Sequence, residues 1–393
     1  MLHQVTVSSI PTSAYVHIPF CRRRCFYCDF PISVVGDRLR GETSGTISQY
    51  VEVLCQEISL TPPLGQKLQT VFFGGGTPSL LSVEQLQKIL TALDNKFGIC
   101  PEAEISMEMD PGTFDLAHIQ GYLESGTNRI SLGVQAFQDD LLQVSGRSHK
   151  VSDILAAVDL IKKVRVPDFS IDLISGLPHQ TLDRWLESLE KATAISPTHI
   201  SIYDLTIEPQ TAFGRYYKPG DRPLPTDEMT VQMYRLAQQF LTSAGYEHYE
   251  ISNYAQPGHQ CRHNRVYWEN RPYYSFGMGA ASYTQGKRFT RPRKTQEYYQ
   301  WVQNGGIIDC DIASDDDILL ETLMLGLRLA EGVSLAALAE QFGDEKVKQI
   351  HYYCKPYYDK GWVEVAQGRL RLTDPDGFLF SNVVLAELFN KFS

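Results

Sequence analysis

Three cysteines lie close together near the start of the chain. Cys21, Cys25 and Cys28 fall within eight consecutive positions of the segment HIPFCRRRCFYCDF, residues 17–30. A structural zinc site usually has four nitrogen or sulfur ligands in two separated pairs, and the sequence contains no CxxC pair beyond this segment. A [4Fe–4S] cluster also takes one thiolate for each of its irons. Three thiolates would leave one iron open to a non-protein ligand, so the triplet predicts a cluster at which chemistry occurs.

The other five cysteines are scattered, at positions 55, 100, 261, 310 and 354. The N-terminal segment MLHQVTVSSIPTSAY has neither the basic nor the apolar region of a signal peptide. In a long chain without a secretion signal, a tight cysteine cluster is typical of metal or redox chemistry rather than of a disulfide framework. These features predict a cytoplasmic protein.

A glycine run, GGGTP at 74–78, directly follows the apolar stretch TVFF at 70–73. Backbone without side chains lets a ligand approach closely, and free N–H groups of such a loop can meet a carboxylate. The run therefore predicts a loop that a ligand can approach closely, or simply a tight turn.

The elements that must position these residues are visible as a repeating pattern up to about residue 210. Helical stretches alternate with apolar runs, and one helix begins at a capping box formed by Ser82 and Gln85. The runs that predict strands are AYVHI (14–18), TVFF (70–73), EISMEM (104–109), RISLGV (129–134), FSIDLI (169–174) and HISIYDL (199–205). Such alternation predicts a parallel sheet, open or closed into a partial barrel.

The carboxyl ends of parallel strands are where the chemistry of such folds gathers. The segments and residues predicted to lie there are Cys21–Cys28, Gly74–Thr77, Glu108, Gln135 and Asp172.

The remainder of the chain has a different character. The Pro- and Gly-rich stretch 214–228 predicts a connection, a helix follows at about 227–243, and 246–285 is aromatic and turn-rich. From about 311, three helical stretches precede a hairpin at 362–373 that turns at Gln367–Gly368, and a last helix follows. This order predicts a winged-helix-like module and three parts of the chain: 1–213, 214–310 and 311–393.

Charge argues against a nucleic-acid partner. The formal net charge is -10, whereas nucleic-acid binders show a basic surface. Residues 311–393 contain 8 Lys and Arg against 14 Asp and Glu. We therefore expect the winged-helix-like module to pack against the rest of the protein or act as a lid, rather than to bind nucleic acid.

Several motifs resemble a known superfamily. CxxxCxxC after a first strand, with Tyr27 before the last cysteine, resembles the radical S-adenosylmethionine superfamily, and GGGTP resembles its glycine motif. The segments YVHIPFC, GGGTP, MEMDP, GVQAF, GRSH and IDLISGLP together resemble the oxygen-independent coproporphyrinogen III oxidase family and its HemW-type heme chaperone branch. The resemblance runs from residue 15 to about 283. It implies an α/β fold, a partial (β/α)6 radical-SAM barrel with a smaller C-terminal winged-helix-like α+β domain.

The resemblance also implies roles for individual residues. Cys21, Cys25 and Cys28 would hold a [4Fe–4S] cluster, and Tyr27 would pack beside it. The residues implied for S-adenosylmethionine are Tyr15, Gly75 and Glu108 near its methionine part, and Gly76, Thr77, Gln135, Arg147 and Asp172 in the neighbouring region. A carboxylate such as Glu108 can accept from an ammonium, and Arg147 can grip a carboxylate in bidentate fashion. No catalytic residue is assigned.

Two features favour the chaperone branch. The oxidases of this family carry a further cysteine two positions after the third, where this chain has Phe30, and phenylalanine cannot ligate iron. The segment RHNRVYW, residues 262–268, resembles the HNxxYW motif of the chaperones. This likeness makes His263 the candidate axial ligand of heme, with Asn264, Tyr267 and Trp268 around it. The alternative is a hydrogen-bonded histidine within a small aromatic core.

The resulting hypothesis is a heme chaperone that binds heme, a [4Fe–4S] cluster and S-adenosylmethionine. It would pass heme to apo-hemoproteins, membrane-associated respiratory enzymes among them. The alternative is oxidative decarboxylation of coproporphyrinogen III, so whether the chain is an enzyme stays open. A radical-SAM enzyme that modifies RNA is disfavoured by the charge. An electron donor and a homodimer are further partners that the sequence does not decide, and the basic segment 287–294 fits heme propionates, an acidic partner or ordinary surface.

Overall fold

The structure, a computed structural model, describes residues 10–37, 40–308, 310 and 313–392. Within these residues sixteen strands form. In chain order they are β1 (Ser13–Ile18), β2 (Phe20–Cys21), β3 (Ser33–Val34), β4 (Leu68–Gly75), β5 (Ile99–Met109), β6 (Arg129–Gln135), β7 (Asp168–Ser175), β8 (His199–Asp204), β9 (Glu247–Glu250), β10 (Asn253–Ala255), β11 (Tyr274–Phe276), β12 (Ala281–Thr284), β13 (Lys287–Thr290), β14 (Val333–Ser334), β15 (Val363–Ala366) and β16 (Arg369–Leu372).

Fifteen α-helices are present in the same ranges, with one 3-10 turn at Pro78–Leu80. The helices are α1 (Gly45–Leu60), α2 (Val83–Phe97), α3 (Leu116–Glu124), α4 (Asp139–Val144), α5 (Val151–Val164), α6 (Leu182–Ile195), α7 (Ala212–Tyr216), α8 (Asp227–Ser243), α9 (Arg262–Trp268), α10 (Thr295–Gln303), α11 (Asp315–Gly326), α12 (Leu335–Phe342), α13 (Asp344–Asp359), α14 (Asp376–Leu379) and α15 (Ser381–Phe392). The predicted capping box of α2 is confirmed, since Ser82 and Gln85 cap each other's backbone N–H groups.

The main sheet is the partial barrel that the sequence predicts. Strands β1, β4, β5, β6, β7 and β8 are neighbours in that order, and every pair among them is parallel. Alternate residues on β4 divide between two environments: Val71 and Phe73 are fully buried in the main hydrophobic core, whereas Phe72 faces the lumen of the barrel. The outer face of the sheet is therefore apolar and packs in the core, whereas the inner face also carries polar residues such as Glu108 and Asp172.

Both edges of this sheet are extended by strands that the sequence did not predict. β11 pairs in parallel with β1, β10 pairs antiparallel with β8, and β9 pairs with β10. All three lie in the aromatic segment 246–285 and have only three or four residues each, too few for a periodic pattern to be recognised. The chain boundaries at 213 and 310 stay predictions.

The C-terminal part has the predicted winged-helix order. Helices α11, α12 and α13 precede a β15–β16 hairpin, and β14 completes a three-stranded sheet. Gln367 and Gly368 have φ values of 52° and 74°, which is the left-handed pair that a two-residue hairpin turn needs. This part has its own hydrophobic core around Leu319, Ile350 and Leu370. None of the helices in the described ranges has the length and apolar character needed to cross a membrane.

Candidate functional site

The three clustered cysteines lie on one loop at the carboxyl end of the barrel strands. Cys21 ends β2, and Cys25 and Cys28 follow in the loop that leads to β3; all three are partly exposed. Burial raises the pKa of the Cys21 thiol to about 12 and also raises that of Cys28, so a metal must displace their protons. Among the described residues no three or more Cys, His, Asp or Glu side chains already form a ligand set.

The backbone of this loop is held by side chains along five consecutive residues, because each carbonyl oxygen of residues 28–32 accepts a hydrogen bond. Arg24 reaches three of these oxygens, while Arg293 and His17 reach one each from other parts of the chain. The bonds run from Arg24 to Cys28 (3.1 Å), Phe30 (3.2 Å) and Ile32 (3.4 Å), from Arg293 to Asp29 (3.0 Å), and from His17 to Pro31 (3.1 Å). The loop that carries Cys28 is thus fixed without metal.

His17 also connects this loop to Tyr15 on the same strand. The Pro31 carbonyl can only accept, so Nε2 of His17 carries the proton and its Nδ1 accepts from the Tyr15 hydroxyl at 3.0 Å. Burial lowers the pKa of His17 to about 4, which keeps the imidazole neutral near pH 7. Because the Tyr15 O–H donates to His17, the lone pairs of the Tyr15 oxygen are free to accept a hydrogen bond from a ligand.

The glycine loop uses its N–H groups inside the protein. Gly75 donates to Oε2 of Glu108 at 2.9 Å, and Gly76 donates to the Ile18 carbonyl at 2.9 Å. The N–H of Thr77 is bound as well, to the carbonyl of Phe20 at 2.7 Å. The expectation that free N–H groups of this loop meet a ligand carboxylate is therefore wrong for these three residues. They instead hold the chain segment that leads into Cys21.

The glycines are required by close packing against that segment. Gly75 has φ +110°, and a Cβ there would strike the ring of His17. A Cβ at Gly76 would lie 2.8 Å or less from the carbonyl oxygens of Ile18 and Phe20. Side chains at these positions would displace the strand before Cys21, so the glycine motif shapes the site through the protein's own backbone.

Two carboxyl groups lie buried in the barrel lumen. Burial raises the pKa of Glu108 to about 8, although the Gly75 N–H opposes the shift. Burial also raises the pKa of Asp172 to about 6, against hydrogen bonds from Ser131 at 2.8 and 2.9 Å and from Ser170 at 3.3 Å. Because a nearby cation would favour their ionised forms, these groups suit a ligand with a positive charge or hydroxyl donors. Asp172 lies inside β7 rather than at its end.

Arg147 joins the cysteine loop to the neighbouring strands. Its guanidinium pairs with Asp110 and donates to the Gly133 carbonyl at 3.0 Å. The other terminal nitrogen lies 3.4 Å from both Cys25 Sγ and the Tyr27 hydroxyl. Arg147 is thus engaged by the protein's own carboxylate, and among the described residues its buried Nε has no hydrogen-bond partner. Its Nη1 lies beside Cys25 Sγ, so it places a positive charge next to the cysteine loop.

Thr77 and Gln135 complete the predicted cofactor set. The Thr77 hydroxyl donates to Asp110 at 3.4 Å. Gln135 ends β6 with φ 69°, a left-handed conformation that is uncommon for residues other than glycine. Backbone strain of this kind is often found at functional sites, and it turns the chain sharply at the mouth of the barrel.

A cavity of about 250 Å³ runs through the lumen between the cysteine loop and α9. Phe30 lies at its opening, and residues of α9 form its floor. Its lining includes Tyr15, Phe30, Phe72, Gly75, Ser106, Glu108, Arg129, Ser131, Ser170, Asp172, His199, Ser201, Tyr203, Cys261, Asn264 and Tyr267. The structure therefore brings Tyr15, Glu108 and Asp172 together in one polar chamber.

His263, the predicted heme ligand, is fully buried beneath this chamber. Its Nδ1 is bonded to Thr70 at 2.7 Å and its Nε2 to the Tyr267 hydroxyl at 2.9 Å. The ring stacks on Phe72, and its backbone N–H donates to Glu104 at 2.9 Å. Burial lowers the pKa of His263 to about 3. With both ring nitrogens bonded, the predicted ligand role does not fit this structure, and the alternative of a histidine in an aromatic core does.

The other residues of the HNxxYW motif divide between the lumen and the C-terminal part. Asn264 and Tyr267 line the lumen floor. Trp268 lies on the far side, with the Arg328 guanidinium 5.9 Å from its ring centroid. Helix α9 thus closes the barrel and joins it to the winged-helix-like part.

Two profiles of known protein families match the chain. The Radical SAM superfamily matches residues 15–192, and the HemN C-terminal domain matches residues 313–379. A radical SAM domain implies a [4Fe–4S] cluster and S-adenosylmethionine as cofactors.

Full-length relatives are more specific. The heme chaperone HemW of Synechocystis is 49% identical over 97% of this chain and 97% of its own length. HemW of Bacillus subtilis is 33% identical over 95% of this chain and 97% of its own length. The chain belongs to the HemW heme chaperone family.

The fold of this HemW family member is shared with a solved structure of coproporphyrinogen III oxidase (HemN) from Escherichia coli. The TM-score is 0.82 with 24% identity, over 98% of this chain and 91% of that chain. At that identity the similarity shows the fold alone, so it confirms a radical-SAM barrel with a C-terminal domain.

Several lumen residues of this HemW family member were not predicted from sequence. They are Ser106, Arg129, Ser131, Ser170, His199, Ser201 and Tyr203. The sequence did carry a signal for most of them. Polar residues occupy every second position of β8, at His199, Ser201 and Tyr203. Near the starts of β6 and β7 the lumen-facing positions are also polar, at Arg129, Ser131 and Ser170. Arg24 and Arg293 were not predicted to hold the cysteine loop. Arg293 belongs to the basic segment 287–294, but exposed arginines are common on any surface, so their pattern does not show which carbonyl groups they bind.

Proposed function

We propose that this chain binds heme and transfers it to apo-hemoproteins. The observation that carries the proposal is membership of the HemW heme chaperone family at 49% identity over nearly the full length. Phe30 supports it, because an apolar ring with 62% of its surface exposed stands where the oxidases have a further cysteine. Phenylalanine can neither ligate iron nor pass a proton.

We further propose that Cys21, Cys25 and Cys28 hold the [4Fe–4S] cluster. The donor set fits, since three partly exposed thiols share one fixed loop and Arg147 lies 3.4 Å from Cys25 Sγ. When bound, the cluster would supply an open iron position and electrons to S-adenosylmethionine. The chain's own residues would do the binding: Tyr15 offers an acceptor and Glu108 a carboxyl group.

The cysteine assignment is tested by anaerobic reconstitution of alanine variants. Replacing any of the three clustered cysteines should abolish the iron–sulfur absorbance. Cys55→Ala is the matched control, because Cys55 is on α1 and outside the loop; it should retain full iron. A Cys21→Ala protein with full iron content would contradict the assignment.

The heme proposal is tested by two parallel assays on the reconstituted protein. Heme titration should show stoichiometric binding, and incubation with an apo-hemoprotein should transfer the heme; a membrane-associated respiratory enzyme is the client we would test first. Incubation with coproporphyrinogen III and a reductant should give no protoporphyrinogen IX. Decarboxylation would overturn the chaperone proposal in favour of the oxidase.

A further inference from the structure

The lumen and the motif helix are unsuitable places for heme. His263 is buried with both ring nitrogens bonded, so neither nitrogen is open to a ligand in this structure. The lumen cavity measures about 250 Å³, below the roughly 300–1,000 Å³ of pockets that enclose drug-sized ligands. An exposed surface next to the cysteine loop is therefore the better candidate for a porphyrin in this structure.

An aromatic surface lies directly beside the cysteine loop, and we call Phe26, Tyr216 and Tyr217 the loop-aromatic surface. Phe26 is 38% exposed and Tyr216 is 69% exposed. Phe26 packs on buried Phe213, with ring centroids 6.2 Å apart. The Phe213 ring also lies 5.4 Å from that of Tyr217, and the Tyr217 ring lies 6.3 Å from that of Tyr216. Neighbouring exposed rings add to one apolar surface, and contiguous apolar surfaces mark interaction sites.

The attachment of this surface to the cysteine loop is direct. The Phe213 N–H donates to the Phe26 carbonyl at 2.8 Å, and the Phe213 ring also lies 6.4 Å from that of Tyr27. Phe26 itself follows Cys25 in the chain. A ligand on the loop-aromatic surface would consequently lie next to the cluster site.

Cations flank the same rings in a chain whose net charge is -10. Arg215 precedes Tyr216 and Lys218 follows Tyr217, and both side chains are exposed. The segment 212–218, AFGRYYK, contains no acidic residue. On its C-terminal side the first carboxylate in the chain is Asp221, and it accepts a hydrogen bond from the Lys218 backbone N–H at 3.1 Å. Flat apolar rings between two cations complement a flat apolar ligand that carries carboxylates.

We propose that the loop-aromatic surface binds heme, with the porphyrin face over Phe26 and Tyr216 and its two propionates on Arg215 and Lys218. The inference rests on the proposed heme-binding function and names its site. Heme is thereby held at the edge of the cluster loop, where a client protein can reach it.

Heme titration of the full chain tests the aromatic contacts. Tyr216→Ala should weaken heme binding about tenfold, and the double variant with Phe26→Ala should weaken it further, because each ring removes apolar contact area. Tyr216→Phe keeps the ring and should bind nearly as well as the wild type. The matched control is Tyr352→Ala, since Tyr352 is an equally exposed tyrosine on α13, with 73% of its surface accessible; it should have no effect.

A second titration with heme dimethyl ester tests the charges. The wild type should bind the ester more weakly than heme, and the Arg215→Gln/Lys218→Gln variant should bind both equally. Two results would overturn this site and leave the proposed function intact. One is unchanged heme affinity in both Tyr216→Ala and the double variant. The other is a wild type that binds the ester as tightly as heme. A wild type that binds no heme overturns both.

Discussion

The Tyr15 hydroxyl donates a hydrogen bond to Nδ1 of His17 across 3.0 Å. Since Nε2 of the same imidazole donates to the Pro31 carbonyl, one neutral ring joins a residue of the lumen to the loop that carries Cys28. The direction of both bonds follows from the carbonyl, which can only accept.

This relationship predicts that His17 acts on cofactor binding through Tyr15. His17→Phe and Tyr15→Phe should each weaken S-adenosylmethionine binding by about tenfold, because one hydrogen bond to a charged group is lost or misdirected. Equilibrium binding to both single variants and to the double variant measures the coupling. We expect the double variant to resemble the single ones; fully additive losses would show that the two residues act independently.

Arg24 is predicted to pre-form the cluster loop. Arg24→Gln removes the donor to three loop carbonyls, so iron should be incorporated more slowly and the iron–sulfur signal in electron paramagnetic resonance should broaden or shift. Arg23→Gln is the matched control, because Arg23, among the described residues, pairs with exposed Asp37 and with none of the loop carbonyls. Identical reconstitution rates and spectra for the two variants would remove the assigned role.

Glu108 is predicted to make stability depend on pH. Its pKa is raised from 4.5 to about 8 by burial, so between these values the unfolded chain binds fewer protons than the native one. The contribution of Glu108 to the free energy of unfolding should therefore be largest below about pH 4.5 and should fall as the pH rises towards 8. Glu108→Gln should flatten that fall in cofactor-free protein, measured by urea unfolding at several pH values.

Asp172→Asn provides the comparison for the pH series. The pKa of Asp172 rises only from 3.8 to about 6, so this variant should flatten the curve below about pH 6 and leave the range from 6 to 8 unchanged. A Glu108→Gln curve parallel to that of the wild type from pH 6 to 8 would contradict the assignment.

His263 is predicted to stabilise the barrel floor. His263→Ala leaves the Thr70 and Tyr267 hydroxyls without their partner, so the free energy of unfolding should fall by about 2–4 kcal/mol. Heme affinity and the Soret band should stay unchanged at temperatures where the variant is folded. A shifted Soret band in a fully folded His263→Ala protein would restore the histidine as a ligand.

Much of the fold was predictable because it depends on local patterns. The six barrel strands, the Ser82–Gln85 capping box and the turn at Gln367–Gly368 depend on residues close in sequence, whose periodicity and backbone preferences act before any tertiary contact forms. The short strands β9, β10 and β11 were missed, because they exist only through pairing with β8, β1 and each other.

The site divides in the same way. The sequence by itself determined that three thiols stand on one loop, that a glycine run follows the next barrel strand, and that Phe30 replaces a cysteine, since these are facts of residue type and spacing. Only the tertiary structure decided what each group touches. Thr70 and His263 are 193 positions apart and yet share a hydrogen bond, and Arg147, which follows α4, pairs with Asp110, which follows β5. Whether a histidine is a free ligand or part of a hydrophobic core depends on its burial and on partners that are far away in sequence. The spacing of residues along the chain does not show either of these.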